Sequence, residues 1–215
     1  MQSNKNKKLS KGSTLIEVIV SISIIAIFSI IVVSDFPTIK RQFAISRAAY
    51  ALSQNIRKAE DFGFSGLQVT DGDGDTVNTT GYGFYINPVS DTQEYLIYAD
   101  TDGSQDEEFS GGESCENNQV LPDQDCIVEQ TNLADIEQEV YIKGIYRLTS
   151  CTLEDISFCP STDWVSINFM PPNPTVKITN DQGELESKIG ILLGANNAST
   201  ERVVFVNSTG LIYVK

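Results

Sequence analysis

Nineteen consecutive residues, Leu15–Val33, hold fifteen apolar side chains and are interrupted only by Glu17, Ser21, Ser23 and Ser29. As an α-helix this run would be about 28 Å long, close to the hydrocarbon thickness of a bilayer. It predicts a membrane-spanning helix, and the rest of the chain must be arranged around one. Met1–Gly12, ahead of the run, carries four lysines and no acid, which places the N-terminus in the cytoplasm and the bulk of the chain outside. A cleaved secretory signal shares the charged start. Its apolar core is shorter, however, and Val32-Val33-Ser34-Asp35-Phe36 offers no Ala-x-Ala-like site.

Charge is distributed as unevenly as hydropathy. Residues 1–58 carry nine basic and two acidic side chains, residues 59–142 carry 20 acids and no Lys or Arg, and residues 143–215 carry six basic and seven acidic ones. A formal net charge of −14 therefore averages a basic start, a strongly acidic middle and a near-neutral end. The chain has no His, which removes Ser-His-Asp triads, Cys-His pairs and His-ligated zinc or haem. No G-x-S-x-G, P-loop or defensible pair of catalytic carboxylates is present either, so a non-enzyme is expected.

Glu17 is the anomaly of the apolar run, because a carboxylate at the centre of a membrane helix costs about 2.5–3.5 kcal/mol, and less near an end. It stands in Lys11-Gly12-Ser13-Thr14-Leu15-Ile16-Glu17, directly before the apolar stretch. This segment resembles the processing site of type IV prepilins and type II secretion pseudopilins. Those chains share a basic leader ending in Gly, a Glu at the fifth position after the cut, and an apolar stretch following the cut. The resemblance implies that residues 1–12 are a leader removed after Gly12 by a membrane aspartyl prepilin peptidase. That enzyme would then N-methylate Ser13, a position where most members have Phe. Glu17 would pair with the cationic N-terminus of a neighbouring subunit during assembly.

After a membrane and filament-core segment at 13–33, an amphipathic continuation over 34–62 is expected. Phe36, Ile39, Phe43, Leu52 and Ile56, with Ala48, Ala49 and Ala59, recur at steps of three and four, with Lys40, Arg41, Arg47, Arg57 and Lys58 between them. Pro37 should kink or locally melt the helix, and Asp61-Phe62-Gly63 should stop it. From 63 to 215 short β-branched and aromatic runs alternate with Asn, Asp, Gly and Pro clusters: 82–86, 94–98, 139–146, 164–169, 175–178, 188–193, 202–206 and 211–214. The expected class is α+β, a long helical spine whose outer half packs on an antiparallel β head. Strand order and the Phe169-Met170-Pro171-Pro172 segment make the head similar to GspH/FimT-type minor pseudopilins.

Cys115, Cys126, Cys151 and Cys159 all fall on the predicted outer side. Disulfides Cys115–Cys126 and Cys151–Cys159, each closing a short loop, are favoured over a zinc site, which lacks both a C-x-x-C knuckle and His. The acidic middle holds two calcium-like patterns, and calcium is the one cofactor the sequence suggests. Asp100, Asp102, Ser104, Asp106 and Glu108 offer oxygens at alternate positions, and Asp71, Asp73 and Asp75 do so with Gly between. The alternative for both is a solvated turn.

The expected function is a minor pilin or pseudopilin, inserted in the inner or cytoplasmic membrane and assembled into a surface or periplasmic filament. Its partners would be the prepilin peptidase, other pilin subunits, the assembly platform and the membrane. An adhesive or DNA-uptake subunit, or an unprocessed membrane-anchored ectodomain, are the alternatives. Nucleic acid is disfavoured because the head has only Lys143, Arg147, Lys177, Lys188, Arg202 and Lys215 as cations.

Overall fold

The computed structural model describes residues 14–101, 108–115, 124–148, 151, 156–171, 175–196 and 200–215. A long helix, α1 (Leu15–Ser65), is followed by an antiparallel β head, the expected α+β architecture. The chain divides into two compact units, 1–40 and 41–215.

In the first unit every apolar side chain of Leu15–Val33 is exposed. The serines that interrupt the run turn their hydroxyls inward. Ser21, Ser23 and Ser29 donate to the carbonyls four residues earlier at 2.8, 2.9 and 2.8 Å. Those hydroxyls are thereby satisfied within the helix, as a lipid environment requires. Melting at Pro37 does not occur, since helical assignment runs through it. Proline removes one donor while the turns on either side keep theirs, and the Lys40 ammonium lies 4.7 Å above the Phe36 ring in the next turn.

In the second unit the helix buries Ile45, Ala48, Ala49, Leu52, Ile56 and Ala59 completely. The expected stripe was therefore too broad: Leu52 and Ile56 face the core, but Phe43 is exposed. Nine residues separate Phe43 from Leu52, which at about 100° per residue puts them on opposite faces. The helix also runs past Asp61-Phe62-Gly63. It ends at Ser65, where Gly66 at φ +60° breaks the ladder.

The strands are β1 (Val69–Thr70), β2 (Thr76–Val77), β3 (Gly81–Ile86), β4 (Glu94–Asp100) and β5 (Cys126–Asn132). After a short helix, α2 (Leu133–Ile136), come β6 (Val140–Arg147), β7 (Ser161–Thr162), β8 (Val165–Met170), β9 (Thr175–Asn180), β10 (Lys188–Ala195), β11 (Arg202–Asn207) and β12 (Ile212–Val214). Two five-stranded antiparallel sheets result, ordered β12-β11-β10-β6-β7 and β5-β4-β3-β8-β9, beside the small β1-β2 hairpin. The alternating inner residues of both sheets, among them Phe84, Ile97, Ile167 and Ile178 on one and Ile142, Ile145, Ile191 and Val204 on the other, share one core with the helix.

On the opposite face of the second sheet, Tyr98 leans across Gly83, the residue paired with it on β3. Its hydroxyl bonds Ser166 Oγ at 2.6 Å, and Phe109 packs on the ring at 5.2 Å between centroids. Burial pushes the Tyr98 phenol far above its ordinary range, and burial also raises Tyr82 and Tyr95. A phenol whose folded pKa lies above its unfolded value contributes stability below pH ~10 that is lost at higher pH. While Tyr98 stays protonated, each pH unit above that point should cost about 1.4 kcal/mol. Denaturant unfolding of residues 41–215 between pH 9 and 11 should show this loss, with a shallower slope in Tyr98→Phe. Parallel slopes would contradict it.

Candidate functional site

The expected processing pair, Gly12 and Ser13, lies outside the described residues. The structure takes up the chain at Thr14, whose carbonyl accepts the Glu17 and Val18 amides at 3.0 and 3.2 Å and starts α1. Glu17 is thus in the first helical turn. There the helix dipole favours a carboxylate by about 0.3–1 kcal/mol, which offsets part of its membrane cost. Thr14 to Val33 offers a fully exposed apolar cylinder with one acid at its entrance.

Farther along, within the second unit, the charge asymmetry of the sequence becomes a set of contacts. Arg41 Nε lies 3.3 Å from Glu139, Arg47 Nη2 2.5 Å from Glu137, and Lys58 pairs with Glu129. Arg57 donates to the Ile212 carbonyl at 2.7 Å. Basic residues of the helix thereby meet acids of the 59–142 stretch. Such exposed pairs contribute only about 0–1 kcal/mol each. Their effect is to fix which face of the helix meets the head.

The disulfides are Cys115–Cys126 and Cys151–Cys159. The first ties a segment along the edge of β5, where the Cys115 amide donates to the Ile127 carbonyl and the Ile127 amide to the Glu113 carbonyl. That edge of the sheet is covered and closed to another strand there.

Of the first calcium candidate, Asp102, Ser104 and Asp106 lie outside the described residues. Asp100 is the last residue of β4 and is buried, accepting a hydrogen bond from Asn168 Nδ2 at 3.3 Å, while Glu108 is half-buried. In the second candidate, Asp71 Oδ1 accepts the amides of Asp73 and Asp75 at 3.1 and 2.9 Å and staples the turn between β1 and β2. Among the described residues no three acidic or cysteine side chains are grouped to hold a metal ion.

Two features escaped the sequence reading. Buried Asp125 receives the Thr101 amide on Oδ1 at 3.2 Å and the Ser110 amide on Oδ2 at 2.9 Å, clamping both ends of the acidic loop. Arg147 holds the turn between β9 and β10 through Gln182 at 3.1 Å, Glu184 at 2.6 Å and buried Glu186. Asp125 is one acid among many and carries no mark of its own in the sequence. The Arg147 partners lie 35 or more residues away, beyond any local pattern.

Residues 7–33 match the family model described as the prokaryotic N-terminal methylation motif. No curated protein and no solved structure matched the chain.

Proposed function

We infer, from the premise that its methylation motif and long apolar helix support a place in the type IV pilin and pseudopilin family, that this chain is a minor, structural subunit of a pilus or secretion-type filament. The observation that carries the reading is the coincidence of the motif at 7–33 with a helical segment, Leu15–Val33, whose apolar side chains are all uncovered. In water that surface would be prohibitive, so it needs lipid or other helices around it. The chain is stored in the membrane with its N-terminus in the cytoplasm, cleaved after Gly12, methylated on Ser13 and drawn into a filament through the apolar segment. The head is displayed outside, and its work is packing rather than catalysis. Two features support an extracytoplasmic head: its paired cysteines and the lysines ahead of the span.

The mass of the N-terminal peptide, taken from cells with and without a prepilin peptidase, tests the reading. A methylated peptide beginning at Ser13 is expected only where the enzyme is present, and Gly12→Val should leave the leader in place. An N-terminus at Met1 in both strains would make the chain an unprocessed anchored ectodomain. A start beyond residue 33 would make the segment a secretory signal.

A further inference from the structure

The two sheets differ in what covers their outer faces. On the first, Ile156, beside the Cys151–Cys159 disulfide, lies over β10, so that a methyl at Gly190 would fall 2.9 Å from its Cδ1. On the second, Phe109 covers Tyr98 and reaches the Tyr85 ring at 4.8 Å between centroids. Beyond Tyr85 this face is partly open to solvent: Tyr85, Leu96 and Trp164 are half-buried and Gln130 is exposed. Alternation along the strands fixes what it presents. Tyr85 on β3 pairs with Leu96 on β4 and with Ser166 on β8, on the face that also carries Tyr98. Trp164, two residues before Ser166, brings its ring centroid to 5.8 Å from that of Tyr85. Glu94, two residues before Leu96, stands on the same face of β4. Ser166 pairs in turn with Thr179, and Asp181, two residues on, continues the face just past β9. Because the strands lie in the order β4-β3-β8-β9, the row reads acid, ring, ring, acid.

Both carboxylates are held in place. Glu94 accepts a hydrogen bond from Gln130 Nε2, and Asp181 accepts the Thr162 hydroxyl at 2.7 Å and the Asp163 amide at 3.2 Å. Their positions are thus set before any ligand arrives, which lowers the entropy lost on binding. Charge decides the occupant. Residues 59–142, which include β3, β4 and β5, hold no Lys or Arg, and on β8 and β9 the one basic residue is Lys177, four residues or about 13 Å from Asp181. An anion would meet no counter-charge beside the rings. A cation would meet two ring faces with a carboxylate on either side. Arginine suits this row, because its planar guanidinium both stacks on aromatic rings and forks to carboxylates. Three strand spacings put Glu94 and Asp181 about 14 Å apart. In an extended chain the side chains of one face recur about every 7 Å, so three alternate residues span that distance and the middle one lies over Tyr85 and Trp164.

We propose that this outer face of the second sheet is a docking site for a basic, extended segment of another protein, one with arginines at alternate positions. The middle guanidinium lies on the Tyr85 and Trp164 rings, and its neighbours pair with Glu94 and Asp181. The site goes beyond the filament reading, which gives the head only display, and does not depend on it.

Trp164 is the only tryptophan of the chain, so its emission reads the site directly. With the full chain in detergent micelles, a heptapeptide alternating Ala and Arg should shift that emission saturably, and calorimetry should give the affinity of each variant. Tyr85→Leu should weaken binding about tenfold, whereas Tyr85→Phe, which keeps a ring, should bind nearly as the parent does. Glu94→Gln should weaken binding more than Asp61→Asn, which removes the same charge from an exposed position on the helix. Equal affinities for Tyr85→Leu and the parent, with equal losses from Glu94→Gln and Asp61→Asn, would reduce the interaction to diffuse attraction and overturn the site. A response to a neutral N-acetylglucosamine hexamer but not to the heptapeptide would make the face a glycan site and overturn the cationic partner. Silence toward both would overturn docking altogether.

Discussion

Chains in which Glu17 is replaced by Ala are expected to be inserted and cleaved normally yet to be missing from the filament. Removing the carboxylate makes the helix entrance more apolar, so insertion should improve if it changes at all. The cost falls on assembly. If Glu17 meets a neighbour's cationic N-terminus among apolar helices, deleting it leaves that amine buried without its counter-charge, a loss of about 3–5 kcal/mol. At about 1.4 kcal/mol per factor of ten, incorporation should drop more than a hundredfold. Glu17→Gln separates charge from hydrogen bonding and should resemble Ala, with at most a slight recovery. Immunoblots of sheared filaments against membrane fractions read the ratio directly. Near-normal incorporation of the Ala chain would remove the assembly role from Glu17.

The second large effect is expected in the head, at Gly83. A methyl group there would fall 2.1 Å from Cζ of Tyr98 and 2.4 Å from its hydroxyl oxygen. The ring cannot swing away freely, because Ser166 holds its hydroxyl and Phe109 lies against it. Overpacking of this kind costs about 1–3 kcal/mol, and losing the hydroxyl's partner adds about 1 more. Gly83→Ala should therefore lower the unfolding free energy of residues 41–215 by about 2–4 kcal/mol, a large part of what a domain possesses. Gly144→Ala is the control, since its nearest neighbour is a Tyr146 ring carbon at 3.3 Å that can give way. Combining Gly83→Ala with Tyr98→Leu should recover part of the loss. Equal effects at Gly83 and Gly144 in denaturant melts would show that the Tyr98 contact is not what the glycine serves.

Both sites bear on what could be read from residues alone. Glu17 was conspicuous because a charge inside an apolar run violates the local pattern, and the resemblance of Lys11–Glu17 to a prepilin processing site gave it a role. Gly83 was visible only as one residue of the expected strand at 82–86. Its meaning depends on Tyr98, a residue on the neighbouring strand whose lean across the sheet no spacing announces.

Strands with strong β-branched character, such as Lys188–Ala195 and Arg202–Asn207, were legible to within a residue or two. Cys126–Asn132 was not. It is an edge strand of Cys-Ile-Val-Glu-Gln-Thr-Asn, largely half-exposed, and it pairs with β4 rather than burying a face of its own. The amphipathic half of the helix shows the opposite failure. The expected stripe omitted Ile45, which is completely buried, and merged two faces into one because exposed Phe43 shares the three-and-four spacing of the buried residues. Separating them required the head to be in place.

Asp125 has a consequence for how this head can vary. With one carboxylate gripping Thr101 and Ser110, and Cys126 beside it bound to Cys115, the ends of the acidic loop are joined independently of what lies between them. Phe109, between those two ends, packs on the Tyr85 and Tyr98 rings of β3 and β4, so an exchange within 102–107 that keeps Phe109, Asp125 and the cystine leaves every one of these attachments to the sheet intact. That stretch is accordingly the place to graft a foreign epitope onto this head, with Phe109 and Asp125 as the stem to leave untouched.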